Sequence, residues 1–235
     1  MKEGVGRALR RAIGRDDVLS RIKPREGGIS VLMNKKRRLI FQYLTEKPLT
    51  HLRKLSRETG MPLGTTDWHL KALIEANVVS VHHGKRRSFY YPSGWIDEID
   101  LDCLSLLQGD IPRALYGVIH KNPGLSQTQI AAKMKKYQQF VQPHIMKLER
   151  CGFLTERRDG RKKVYSSSDK LANLREKYEE RSQDYIRKVL NMLDEDGLNP
   201  KMRRMSKDSM KVKIDDGRNS YSIRIGANPI LAIME

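Results

Sequence analysis

GTTDWHLKALIEANVVSVHHGKRRSFYYP, residues 64–92, changes periodicity halfway along. Up to Ala76 the apolar residues Leu70, Leu73 and Ile74 fall at helical spacing. After Asn77 two β-rich runs, VVSVHH and SFYYP, flank GKRR and read as a hairpin with a basic tip. Upstream, NKKRRLIFQYLTEK sets Leu39, Ile40, Tyr43 and Leu44 on one helical stripe. Thr50 stands where an N-cap would open a second helix through Leu52 and Leu55, and Gly60 ends it. Three helices followed by a hairpin is the element order of a winged helix-turn-helix.

The same plan recurs 75 residues later. At that shift Phe41 and Leu44 fall on Tyr116 and Ile119, Pro48 on Pro123 and Leu55 on Ile130. His69-Leu70 falls on His144-Ile145, Leu73 on Leu148, and Val78-Val79 on Phe153-Leu154. Arg86 falls on Arg161 and Tyr90 on Tyr165. The second copy reads as IPRALYGVIHK, then QTQIAAKM capped by Ser126, then a helix through HIMKLER. A hairpin, FLTERR-DGRKK-VYSSS, turns at Asp159-Gly160. Pro143 removes a backbone bond inside the third helix, which predicts a bend or a late start there.

Residues 64–92 also resemble the reading-helix-and-wing segment of archaeal winged-helix transcription regulators of the ArsR/MarR-like type. The shared features are the Gly-Thr start, the aromatic-His-Leu of Trp68-His69-Leu70, Leu73, the Gly84-Lys85 wing and the Tyr90-Tyr91-Pro92 end. The second copy resembles that pattern more loosely, through His144, Leu148, Gly152, Arg161 and Tyr165. The resemblance implies sequence-specific binding of double-stranded DNA in transcription regulation, at a promoter or operator.

The expected fold class is therefore α+β, mainly α with small β hairpins. Residues 1–26 form a basic arm, 27–96 and 97–170 tandem winged helices, and 171–235 a C-terminal helix with a short β-meander. In such a domain the third helix enters the major groove and the wing lies over flanking backbone. Helical spacing turns Thr65, Asp67, Trp68 and Lys71 outward and Thr66, Leu70 and Leu73 inward. Thr66 and His69 join the candidate contacts by position in the helix. Trp68 either lies along sugar and base surfaces or packs half-buried on the preceding helix. His69 and its equivalent His144 are either a ligand or pH switch or structural histidines bonded between helix and wing. His82-His83 fit weak phosphate contact better than metal. Lys85, Arg86 and Arg87 at one wing tip, and Arg161, Lys162 and Lys163 at the other, are candidates for phosphate. Gln138, Gln139 and Gln142 could pair with adenine edges, with Lys147 beside them. Alternatively the second copy only docks or grips phosphate.

Charge agrees. The chain has 235 residues, of which 46 are Lys or Arg and 28 Asp or Glu, a net charge of +18. Residues 27–93 and 110–170 each carry +8, separated by an acidic joint, WIDEIDLDC, while 171–235 carry only +2. So high a charge repels itself unless a polyanion answers it. Two cysteines are too few for a disulfide scaffold or a four-ligand zinc site and suit a reducing compartment. No apolar run reaches membrane-spanning length, and MKEGVGRALRRAIGRDD lacks the apolar stretch of a signal peptide. No carboxylate pair, nucleophile–base set or metal cluster stands out, so no enzyme, cofactor or metal is expected. A cytoplasmic, nucleoid-associated protein follows.

Beyond Lys170, Leu171, Leu174, Tyr178, Tyr185, Val189 and Leu193 recur at helical steps. An apolar stripe of that length outside a DNA domain predicts a homodimer through residues 171–193, with packing on the wing or the tail as the alternative. The tail runs MKVKIDD, GRN, SYSIRIG and ANPILAIME read as a meander of about three strands with a turn at Asp216-Gly217. It could hold an effector, a dimer surface or a contact for the basal transcription machinery. Architectural or replication-initiation DNA binding, and an RNA-binding or protein-docking module, are the competing functions.

Overall fold

The computed structural model describes residues 28–84, 87–204, 209–215, 220–226 and 228–234. The expected basic arm 1–26, the wing-tip residues Lys85 and Arg86, and the Asp216-Gly217 turn lie outside the described residues. Asn34 opens α1 (Lys35–Glu46) by accepting the backbone N–H groups of Lys36 and Arg37 at 2.9 and 3.3 Å. α2 (Leu52–Thr59) is capped by His51, whose Nδ1 accepts from the Lys54 N–H at 3.1 Å. Thr50, the expected cap, instead pairs with Tyr90 and gives its hydroxyl hydrogen to the Lys47 carbonyl. α3 (Leu63–Glu75) follows, then β1 (Val79–His83) and β2 (Ser88–Pro92), an antiparallel pair.

The acidic joint is itself a helix, α4 (Glu98–Leu107), which buries Leu101, Leu104 and Leu107. After it, α5 (Asp110–Lys121), α6 (Gln127–Met134) and α7 (Gln138–Arg150) repeat α1, α2 and α3 end for end at a shift of 75. Ser126 caps α6 in a full capping box with Gln129. β4 (Leu154–Asp159) and β5 (Lys162–Ser167) form the second hairpin, and β3 (Leu125–Ser126) adds a third strand. The Leu125–Tyr165 pairing of β3 and β5 is the counterpart of the Thr50–Tyr90 bridge. Backbone conformation repeats too. Leu49 and Gly124, Gly60 and Lys135, and Asn77 and Gly152 all have positive φ. α7 starts in the same register as α3 and runs through Pro143, so the expected late start does not occur.

The C-terminal region departs most from expectation. α8 (Lys170–Glu195) spans 26 residues, about 39 Å. β6 (Lys201–Arg204), β7 (Ser209–Asp215) and β8 (Ser220–Gly226) form an antiparallel meander in sequence order. ANPILAIME is not a strand: Pro229–Met234 is a short helix, α9, and the Asn228 Oδ1 accepts the Ile230 N–H at 2.9 Å.

Two cores result. The first joins α1–α3 and β1 to Tyr185, Ile186, Val189 and Leu193 of α8. It also takes Met210, Val212 and Ile214 of β7, with Ile223 and Ile225 of β8. A short 3-10 helix, Ile29–Met33, closes it. The second joins α4–α7 and the second hairpin to Leu174 and Tyr178 of α8 and Ile230 and Ile233 of α9. One face of α8 thus belongs to both cores. Ile186, Val189 and Leu193 each gain roughly 1.5–3 kcal/mol by burial, before the loss of side-chain entropy. The stripe from which a homodimer through 171–193 is expected is covered within the chain, by the winged helices and the tail. This is the alternative reading of that stripe, packing on the wing domains and the tail.

Charge holds α8 to the joint. The Tyr178 hydroxyl donates to Asp100 Oδ2 at 2.8 Å and accepts the Asp97 N–H at 3.0 Å. Lys177 Nζ lies 2.7 Å from both Asp97 and Asp100, and Arg181 also pairs with Asp97. The hydrogen bond from Lys177 holds the Asp97 carboxyl below its usual pKa, against the opposing effect of burial. The joint's acidity is therefore answered within the chain. Cys103 of α4 and Cys151 at the end of α7 form a disulfide with Cα atoms 5.3 Å apart. The bond ties the joint to the end of α7.

Candidate nucleic-acid interface

The turn between α2 and α3 is fixed by local bonds. Gly60 takes a left-handed conformation, φ +68°, which a residue without Cβ adopts at little cost. Ser56 Oγ donates to the Met61 carbonyl at 2.7 Å, and Thr66 Oγ1 donates to the Pro62 carbonyl at 3.0 Å. Thr66 is fully buried, so its expected contact with DNA gives way to a role in the turn.

His69 is buried beside it, at 4.8 Å from the Trp68 ring in an edge-on contact. Its Nδ1 has no hydrogen-bond partner, nor does Nδ1 of half-buried His144. Neither nitrogen makes the expected bond to a wing. Burial first, then Arg37 and Lys36, push the His69 imidazole below its usual pKa; burial and Lys147 do the same to His144. In both rings the neutral form is thereby favoured.

The outward face of α3 carries the rest. Trp68 is 59% exposed, so the half-buried alternative does not hold. The Arg37 guanidinium lies 5.5 Å from its ring centroid, a cation–π contact that orients both groups. Lys71 pairs with Asp67 at 2.6 Å, one turn apart, a surface pair worth a fraction of a kcal/mol. Thr65 is half-buried on the same side. Arg37 was missed in the sequence, although KKRR directly after a capping Asn was the available signal. Arg38, from the same run, is no candidate. It is buried, donates to the Leu32 and Met33 carbonyls at 3.0 and 2.6 Å, and lies 3.9 Å from the Tyr221 ring centroid. It anchors the meander to α1.

The first wing leaves Arg87 exposed, and its charge helps depress the His51 pKa, after burial. Its neighbours Lys85 and Arg86 lie outside the described residues. His82 turns toward the joint, Nε2 3.0 Å from Asp102 Oδ1, while exposed His83 meets Ser88 Oγ at 3.0 Å. The second wing exposes Arg161, Lys162 and Lys163, together with Arg157 and Arg158, which sequence reasoning passed over. Lys163 is paired with Glu156 at 2.9 Å across the strands.

On α7, Gln138 is already engaged. Its Nε2 donates to Thr128 Oγ1 at 2.8 Å and its carbonyl accepts from Gln127 at 3.2 Å, fixing the α6–α7 turn. Gln139, Gln142 and Lys147 are exposed. So are three large apolar side chains nearby, Tyr137, Phe140 and Met146. Among the described residues no group of three or more metal-ligating side chains occurs, and no helix is long and apolar enough to cross a membrane.

Comparison with known proteins finds matches to part of this chain. Residues 34–104, from the cap of α1 into α4, match a family model described as an N-terminal HTH domain. An uncharacterized HTH-type transcriptional regulator, MJ1398 of Methanocaldococcus jannaschii, is 30% identical over 141 residues, 60% of this chain and 35% of that protein. The chain thus corresponds to about a third of the relative's length. Among solved structures, ScpB from Mycobacterium tuberculosis aligns over 58% of this chain and 92% of its own. The two are 12% identical, with a TM-score of 0.25. Residues 34–104 are thus a winged helix-turn-helix domain matching that HTH family, in a chain similar to an archaeal HTH-type transcriptional regulator.

Proposed function

We propose that the protein is a sequence-specific, double-stranded-DNA-binding transcription regulator that uses two winged helices from one chain. The observation that carries this reading is the outward face of α3. There Trp68 and Lys71 stand in solvent, with Arg37 over the indole, on the helix that a helix-turn-helix lays in the major groove. Two further features support it. Both hairpins beyond the reading helices expose cations, and the two winged-helix segments carry the chain's excess charge. Phosphate contacts from Arg87, Arg161 and Lys162 supply affinity, and the reading helices supply sequence preference. Bound across a promoter, the protein occludes it or positions the basal machinery. It does so in the cytoplasm, on the nucleoid.

The test is binding to duplex DNA selected from a random pool, measured against random duplex and structured RNA at several salt concentrations. Selected duplex should win over both, with affinity falling steeply as salt rises. Equal affinity for random duplex, or preference for RNA, would overturn the proposal. Trp68→Ala should lower affinity for selected duplex by roughly 1–3 kcal/mol and leave random duplex nearly unchanged.

A further inference from the structure

The two reading helices share an inward face and differ at outward positions. The 75-residue shift that superposes their ends pairs Thr66 with Val141, His69 with His144, Leu70 with Ile145 and Leu73 with Leu148, all turned inward. The same shift pairs Thr65 with Phe140, Asp67 with Gln142, Trp68 with Pro143 and Lys71 with Met146. Every one of these replacements removes a charge or a hydroxyl, or trades the indole for proline. Phe140 is 41% exposed and Met146 52% exposed, with Tyr137 at 83% one turn before Phe140. Large apolar groups left in solvent on a helix end signal a contact. Their surroundings are cationic: Lys133, Lys135, Lys136, Lys147 and Arg150 are exposed, and Lys136 Nζ lies 5.6 Å from the Phe140 ring centroid. The occupant that such a rim fits is a polyanion with apolar groups inside its groove. In duplex DNA the apolar group facing the major groove is the thymine methyl, and the amide side chains Gln139 and Gln142 match the donor–acceptor edge of adenine. α3 instead offers a hydroxyl, a carboxylate and an ammonium, which suit mixed sequence.

We infer that the chain reads an asymmetric, two-part duplex site in which α7 lies over A·T pairs. Gln139 and Gln142 address adenine, and Phe140 and Met146 cover thymine methyls. The inference rests on the DNA-binding reading above and specifies what the second helix recognises.

The experiment is site selection with the full chain, followed by replacement of thymine by deoxyuridine, which removes only the methyl group. The selected site should have one A·T-rich part. Each covered methyl lost should weaken binding about fourfold, the effect of one buried methylene. Phe140→Ala with Met146→Ala should erase the thymine–uracil difference. Both residues are exposed, and unchanged circular dichroism checks the fold. A selected site that is a direct repeat, or one indifferent to uracil, would overturn the inference while leaving DNA binding intact. So would retained discrimination in the double variant, which would assign the apolar face to a protein partner. Absence of any preference for selected duplex would instead overturn the DNA-binding reading, and this inference with it.

Discussion

Gly226 at the end of β8 rests against the backbone carbonyl of Thr45 in α1, so closely that a Cβ would fall on that oxygen. The Thr45 hydroxyl, placed between the carbonyls of Gln42 and Arg224 at 2.8 and 3.2 Å, locks the same contact. Both neighbours are backbone and cannot swing aside. Gly226→Ala should therefore push the meander off α1 and cost about 1–3 kcal/mol, as overpacking does. A thermal unfolding midpoint equal to that of the unchanged protein would contradict the packing.

Removing residues 171–235 should not leave two sound winged helices. It strips Val189, Leu193, Val212 and Ile223 from the first core, and Leu174, Tyr178 and Ile230 from the second. The side of α1 that packs on β8 would then face water. The expected product is insoluble, or binds a hydrophobic dye strongly with weakened near-ultraviolet dichroism. A soluble, sharply melting fragment would disprove the shared-core account.

Buried His69 and half-buried His144 give stability a pH dependence with a definite sign. Folding lowers the pKa of His69 and of His144, in each case chiefly by burial. The unfolded chain takes up these protons first, near pH 6.5. Their contribution is whole above that value and is lost as pH falls through the folded pKa. Unfolding free energy should drop between pH 7 and 5. The drop should shrink in a His69→Gln, His144→Gln variant, with a remainder from His51, whose pKa is also lowered. An unchanged slope in urea titrations would refute this.

The Cys103–Cys151 bond closes a loop of 48 residues. In the chain-entropy account that constraint is worth about 4 kcal/mol. Cys103→Ser should lower the denaturation midpoint correspondingly, and a thiol reductant should do the same to the unchanged protein but not to the variant. Insensitivity of both to reductant would mean that the bond contributes nothing.

The second wing separates free from engaged cations. Arg161→Ala and Lys162→Ala should each flatten the salt dependence of duplex binding by about 0.9 in log–log slope, one phosphate contact apiece. Lys163 shares its charge with Glu156, so Lys163→Ala should change the slope less. Equal changes at all three would show that the pair opens on binding.

Much of this architecture could be read in advance because it is local and occurs twice. The helix stripes, the Ser126 cap and the outward turn of Trp68 follow from spacing alone. α4 was hidden because four carboxylates in WIDEIDLDC advertise a solvated joint; Leu101, Leu104 and Leu107 carried the helical signal underneath. The stripe of α8 announced a need for cover without naming what covers it. A long-range partner such as Val212 or Ile223 lies in no sequence window. ANPILAIME failed for a local reason: Asn228 can cap, and Pro229 suits the first turn of a helix, but alternating apolar residues favoured a strand. At the site, Thr66 was already inward by spacing, and its place among the contacts came from position alone. Gln138 could not be told from Gln139 and Gln142, because only the fold brings Thr128 beside it.

Because α8 contributes side chains to both cores, the two helix-and-hairpin units are not energetically separate. Opening one core uncovers half of α8 and loosens its hold on the other, so heat should unfold the chain in one transition rather than two. Ligand linkage then crosses the molecule. A duplex gripped by the first domain alone would raise the melting temperature of the second, and amide hydrogens deep in α5 would report, by slower exchange, an event on α3.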